Sequence, residues 1–221
     1  MKRILRDNGL TVALMALFAV ALIGQVITGL AQYNENAMAH GEAAIGLAAY
    51  LSTGHFIEAT FENWESEFLQ MGAYVLLTVF LFQRGSLESK DPDDPGPVDD
   101  DTRDHVDDEG TPWPVRRGGL VLRLYENSLF LAFAALFALS FTLHAIGGAE
   151  DYSADQVAHG ERPVTVVDYL GTSRFWFESF QNWQSEFLAV GGIVVFSVFL
   201  RQRGSPESKP VHAPMSETGS S

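Results

Sequence analysis

Hydrophobic residues fall into four blocks, with polar residues gathered between them. Leu10 to Leu30 is 21 residues without a charge, and Leu129 to Gly148 is 20. At about 1.5 Å of rise per residue, each can cross a hydrocarbon core of roughly 30 Å as a helix. The other two blocks, Leu69 to Phe82 and Phe187 to Leu200, hold 14 residues each. Length alone leaves such a run between a core helix and a span. The flanks decide it. Trp64 or Trp183 precedes each short block, and Gln83-Arg84-Gly85-Ser86 or Gln202-Arg203-Gly204-Ser205 follows it. Tryptophan favours the membrane interface and the basic residues stop transfer. The pattern therefore predicts four transmembrane helices, with Trp64 and Trp183 as interface aromatics.

The blocks also repeat. Leu5–Lys90 aligns without a gap on Leu124–Lys209, 119 residues later, and 38 of the 86 pairs are identical. The match is densest in Phe61-Glu62-Asn63-Trp64-Glu65-Ser66-Glu67-Phe68-Leu69, which recurs as Phe180-Gln181-Asn182-Trp183-Gln184-Ser185-Glu186-Phe187-Leu188. A long internal repeat points to duplication and two equivalent halves. The expected fold is an all-α membrane protein of two tandem, parallel two-span repeats, with amphipathic helices on the outer surface and the halves packed as one four-helix bundle. The expected organisation is a first repeat over 1–90, an acidic disordered linker over 91–117, a second repeat over 118–205 and a disordered tail over 206–221. The first block, after Lys2, Arg3 and Arg6, has the look of a secretory signal. Its repeat equivalent is internal, so an uncleaved anchor is expected.

Charge sets the orientation. The net charge is −14, but ten acids and one base lie between Asp91 and Glu109. Of 14 Lys and Arg, 12 lie before the first span, between the second and third, or after the fourth. Only Arg162 and Arg174 lie in the other loops. The positive-inside rule then places both termini and the linker in the cytoplasm. No basic nucleic-acid footprint is present. The chain has no cysteine, which removes disulfides and thiolate chemistry.

Candidate chemistry comes from depth and repetition. Counted along the helices, Gln25, Glu67, His144 and Glu186 reach a similar level near the outer mouth. Ionisable groups at that level should face the protein interior and find partners. A buried polar layer of Gln25, Asn63, Glu67, His144, Asn182 and Glu186 is expected, with the Glu67 and Glu186 carboxyls turned inward. Gly72 and Gly191 lie on a stripe with Phe61, Trp64 and Phe68 and their repeats, where glycine allows close helix approach. Glu42 to Leu51 reads as a short amphipathic helix, and Ser52 and Thr53 as caps of a second helix near His55. His40, Glu42, His159 and Glu161 repeat as an outer lid that either caps the surface helix or, with a hard or borderline metal, holds an ion. No cofactor is expected, and no Gly-x-Ser-x-Gly, His-Glu-x-x-His or phosphate-loop pattern points to an enzyme.

The tandem hairpins with Asn-Trp-x-Ser-Glu-Phe-Leu entering the second span, and Gln-Arg-Gly-Ser after it, resemble a family of small bacterial integral membrane proteins of unknown function. The resemblance implies four spans in a bacterial inner membrane and transfers no activity. Two functions compete: a structural or interaction component of the membrane, and a small oligomeric transporter or channel using the polar layer. The expected partners are the lipid bilayer and further copies of the chain.

Overall fold

The computed structural model describes residues 2–94 and 96–219. Met1, Pro95, Ser220 and Ser221, which fall in the ranges given above, lie outside the described residues. Eight α-helices and no strand occur among the described residues. In chain order these are α1 (Lys2–Ala39), α2 (Leu47–Tyr50), α3 (Gly54–Phe80), α4 (Trp113–Arg117), α5 (Gly119–Glu126), α6 (Ser128–Ala158), α7 (Val166–Leu170) and α8 (Ser173–Phe199). The segment between α3 and α4 carries two 3-10 turns, Pro97–Asp99 and Thr102–His105.

Two helices are long and apolar enough to cross a membrane: Arg6–Ala39 of α1, and α6. Helices α3 and α8 have 27 residues each, about 40 Å. They fall short in apolarity because their first halves carry Glu58, Glu62, Glu65 and Glu67, or Arg174, Glu178 and Glu186.

The same local solutions occur 119 residues apart. Asn8 has non-helical dihedrals inside α1, and its counterpart Asn127 separates α5 from α6. Gly41 and Gly160 take φ of +80° and +81°. There Glu42 N donates to Ala37 O and Glu161 N to Gln156 O, at 2.9 Å each. This is a Schellman closure, which favours glycine because no Cβ opposes the left-handed turn. Asn34 exchanges two hydrogen bonds with the backbone of Ile45, and Ser153 exchanges two with Val164.

The expected amphipathic helix is shorter than the sequence suggested. Glu42–Gly46 is extended or turning, and helix begins at Leu47. The cause is the Schellman turn, which redirects the chain just before it. The cap of α3 is Thr53, whose Oγ1 accepts from Phe56 N at 3.3 Å; Thr172 does the same for Phe175 N at 3.2 Å.

The chain divides into two compact units. One comprises Met1–Phe61 and Leu143–Phe175, the other Glu62–Thr142 and Trp176–Ser221. In the first, α3 and α6 approach backbone to backbone. A Cβ on Gly54 would lie 2.6 Å from Gly147 O, and one on Gly147 would lie 2.6 Å from Glu58 N. In the second, a Cβ on Gly72 would meet Phe133 Cβ at 3.3 Å, as the glycine stripe requires. Its counterpart Gly191 has nothing within 4 Å, so close approach at that level is confined to the first copy.

Candidate functional site

A buried polar cluster of the first unit is built by four elements. Glu58 lies in the second turn of α3, His144 and Asp151 lie two turns apart on one face of α6, Tyr169 ends α7, and Arg174 begins α8. Tyr169 Oη donates to Glu58 Oε1 at 3.1 Å. Arg174 Nη2 reaches Asp151 Oδ2 at 3.0 Å and Glu58 Oε1 at 3.4 Å. The Arg174 guanidinium also lies 5.4 Å from the centre of the Tyr152 ring, within cation–π range. Glu58, His144, Tyr169 and Phe175 are all buried, and Arg174 is about one-third exposed.

Burying a carboxylate is costly unless a cation and donors compensate it. Arg174 and Tyr169 supply both here. His144 stacks on Phe175 with ring centres 4.8 Å apart and 29° between planes. Ligand atoms of Glu58 and His144 come within 4.8 Å, a carboxylate and imidazole pair able to hold a proton or a borderline metal. Tyr169 packs its hydroxyl against Gly148, where a Cβ could not fit.

The matching positions of the first copy build a version without the arginine and the acid. Tyr50 packs its hydroxyl against Gly29 in the same way. Tyr33, Tyr50 and His55 form a ring triangle with centres 5.7 to 5.9 Å apart. Tyr50 Oη and His55 Nδ1 are 3.3 Å apart, and Gln25 Nε2 donates to Thr60 Oγ1 at 3.2 Å. Burial pushes the Tyr50 phenol up, keeping it neutral and able to donate. His55 stands where Arg174 stands, Gln32 where Asp151 stands, and Gln25 where His144 stands.

The residues of the expected polar layer divide between the two units. Gln25 and His144 belong to the first unit, and Glu67, Asn63, Asn182 and Glu186 to the second. Glu67 and Asn63 are exposed, so the inward orientation expected for Glu67 does not hold. Glu65 is buried instead and accepts from Trp183 Nε1 at 3.0 Å. Residues two apart on a helix point about 200° from each other, so inward Glu65 turns Glu67 outward. Trp183 therefore anchors a carboxylate, and its ring also meets Phe137, Trp176 and Phe180. Asn182 Nδ2 donates to Glu178 O at 3.0 Å, and Glu186 is half-buried with its carbonyl accepting from Gln70 Nε2. Trp64 is half-buried.

His40, Glu42, His159 and Glu161 are exposed and do not fold down as a lid. They close helices: His40 Nδ1 donates to Asn36 O and His159 Nδ1 to Asp155 O, each at 2.8 Å. The helices closed are α1 and α6, not the surface helices. Glu58 and Arg174 escaped the sequence reading because neither repeats; Phe177 and His55 stand at their offsets. One signal was present. Arg174 is one of two bases in the segments that join each long apolar block to the short one after it, and a base so placed needs an acid.

The chain matches a family described as a domain of unknown function, DUF6766, over residues 1–220, and it belongs to that family. Neither a curated protein nor a solved structure matches it.

Proposed function

We propose that the protein is a multi-pass component of the bacterial inner membrane with a structural or accessory role. Two apolar helices support membrane association. The finer reading adds α3 and α8 as spans, giving two tandem hairpins with both termini and the linker in the cytoplasm. The base distribution and the Trp-to-Arg framing of the short apolar runs support it. A fusion after Arg84 and one at the C-terminus should report cytoplasmic, and one near His40 external. A cytoplasmic signal at His40 would contradict the topology.

One observation carries the structural role. Glu58, Asp151, Tyr169 and Arg174 compensate one another across four helices, so the buried charge serves to join elements. Glu58→Gln with Arg174→Gln should lower the melting temperature in detergent while leaving the membrane's ion permeability unchanged. The competing reading is a small oligomeric transporter using Gln25, Glu67, His144 and Glu186. It has less support, because Glu67 is exposed and Gln25 is engaged with Thr60. A change in reconstituted ion flux on Glu186→Gln would favour it.

A further inference from the structure

The turns that follow α3 and α8 share a sequence and a construction. Gln83 N donates to Ser89 Oγ and Gln202 N to Ser208 Oγ, at 2.8 Å each. Glu88 N donates to Ser86 Oγ and Glu207 N to Ser205 Oγ, at 3.1 Å each. Gly85 and Gly204 take φ of +80° and +85°. Each turn thus presents one arginine, Arg84 or Arg203, from the same backbone frame.

The two turns differ in what meets that arginine. On the first, Arg84 pairs with Asp93 and Lys90 with Asp99. The adjoining cavity has Glu88, Asp91, Asp94 and Asp99 among its lining residues. The C-terminal tail also covers this turn, since Gly85 N donates to Thr218 Oγ1 and Gly219 N to Ser86 O. On the second turn, the position equivalent to Asp93 by the 119-residue offset is His212. Arg203 and His212 line one cavity of about 530 Å³ together with Gln202, Ser205 and Ser208. No carboxylate lines it, and Arg203 makes no ion pair among the described residues. The neighbouring cations are engaged elsewhere. Lys209 Nζ is buried and donates to the carbonyls of Gly85, Met215 and Glu217, and Arg201 donates to carbonyls at the end of α8.

We infer that the cavity at Arg203 and His212 binds a phosphate-bearing anion, in the place where the first turn carries its own carboxylate. A guanidinium, an imidazole, the Ser205 hydroxyl and the Gln202 amide are the donors such an anion uses, the Ser208 hydroxyl being given to the Lys209 carbonyl. The last turn of α8 supplies the rest of a lipid site. Phe196, Phe199 and Leu200 are exposed directly beside the cavity in sequence, and Val211 in its lining is exposed too. In the topology proposed above, on which the lipid form of this inference rests, the cavity faces the headgroups of the cytoplasmic leaflet. Anionic headgroups concentrate there.

The test uses the full-length protein in neutral detergent, titrated calorimetrically with inorganic phosphate, a short-chain phosphatidylglycerol and a short-chain phosphatidylcholine. Phosphatidylglycerol should bind saturably, about ten-fold more weakly to Arg203→Gln, the loss of one charge-assisted contact. His212→Asp, which rebuilds the first turn's ion pair on the second, should abolish binding. Arg84→Gln, whose arginine is already paired, should bind as the native protein does. Binding of inorganic phosphate with no response to lipid would keep the anion site and overturn its assignment to a headgroup. Equal binding by the native protein and His212→Asp, or none by either with native melting temperatures, would overturn the inference. Because the titration is done in detergent, a wrong membrane topology would leave this result standing and would show only in the reporter fusions.

Discussion

The corner built by Glu58, Asp151, Tyr169 and Arg174 and the corner built by Tyr33, Tyr50 and His55 start from matching positions of a duplicated sequence. Both keep the tyrosine that packs its hydroxyl on a glycine of the long apolar helix, and both keep the threonine cap beneath it. They diverge in charge. Position 55 is His and position 32 is Gln, whereas positions 174 and 151 carry Arg and Asp. The change from His to Arg is tolerable only with an added acid, because an unpaired guanidinium there would lose hydration without compensation. The comparison teaches that the shape of this corner is common to both copies, while its electrostatics were assembled once, from residues more than a hundred positions apart.

The largest difference should appear when the cation is removed. Arg174→Ala leaves Glu58 buried and Asp151 beside it without a positive charge, and should cost about 3 kcal/mol. His55→Ala removes one hydrogen bond and two ring contacts and should cost about 1 kcal/mol. Thermal unfolding of both variants in detergent checks this, and equal losses would erase the distinction between the corners.

The shared element should respond alike in both copies. Gly148→Ala and Gly29→Ala each place a methyl group on a tyrosine hydroxyl and should cost about 1–3 kcal/mol through overpacking. A neutral Gly29→Ala beside a damaging Gly148→Ala would show that only the charged corner is tightly held. Removing the hydroxyls restores the asymmetry at smaller scale. Tyr169→Phe takes a donor from a buried carboxylate, about 1.5 kcal/mol, and Tyr50→Phe loses one bond of 3.3 Å to His55, about 0.5 kcal/mol.

The smallest expected effect is a pH dependence found in the second copy's surface helix. Thr165 and Asp168 form a capping box on α7, whereas Gly46 precedes α2 and gives it no side-chain cap. The Thr165 hydroxyl, and after it the Thr165 backbone, holds the Asp168 carboxyl below its ordinary value. A lowered folded value means the contribution is fully present above the ordinary carboxylate range. It is lost as pH falls through the lowered value. Amide exchange at Tyr169 should therefore quicken relative to Tyr50 on acidification into that range. Parallel pH profiles for the two amides would rule the cap out as the cause.

Much of the framework could be read from the chain alone. The two long apolar helices, the Thr53 cap and the start of α3 near His55 follow from local periodicity and local hydrogen-bonding groups. The closing turns at Gly41 and Gly160 and the buried site were harder. His-Gly-Glu was placed on the wrong helix because a Schellman turn serves the helix before it, and the short polar run allows either assignment. Repetition points to Glu67, which is identical in both copies, and away from Glu65, whose counterpart is Gln184. Identity does not fix helix rotation, and the Trp183 indole that selects Glu65 lies 118 residues away. Glu58 was invisible for the same reason: its meaning depends on Tyr169 and Arg174, which no local pattern connects to it.

The most direct measurement of whether charge compensation holds the second copy's corner is a double-mutant cycle on Glu58→Gln and Arg174→Gln, read by thermal unfolding of the full-length protein in detergent. The double variant should be less damaged than the sum of the singles, with a coupling of at least about 1 kcal/mol. The same cycle on Tyr50→Phe and His55→Ala should give less than about 0.5 kcal/mol. Additive losses for Glu58 and Arg174 would contradict the account.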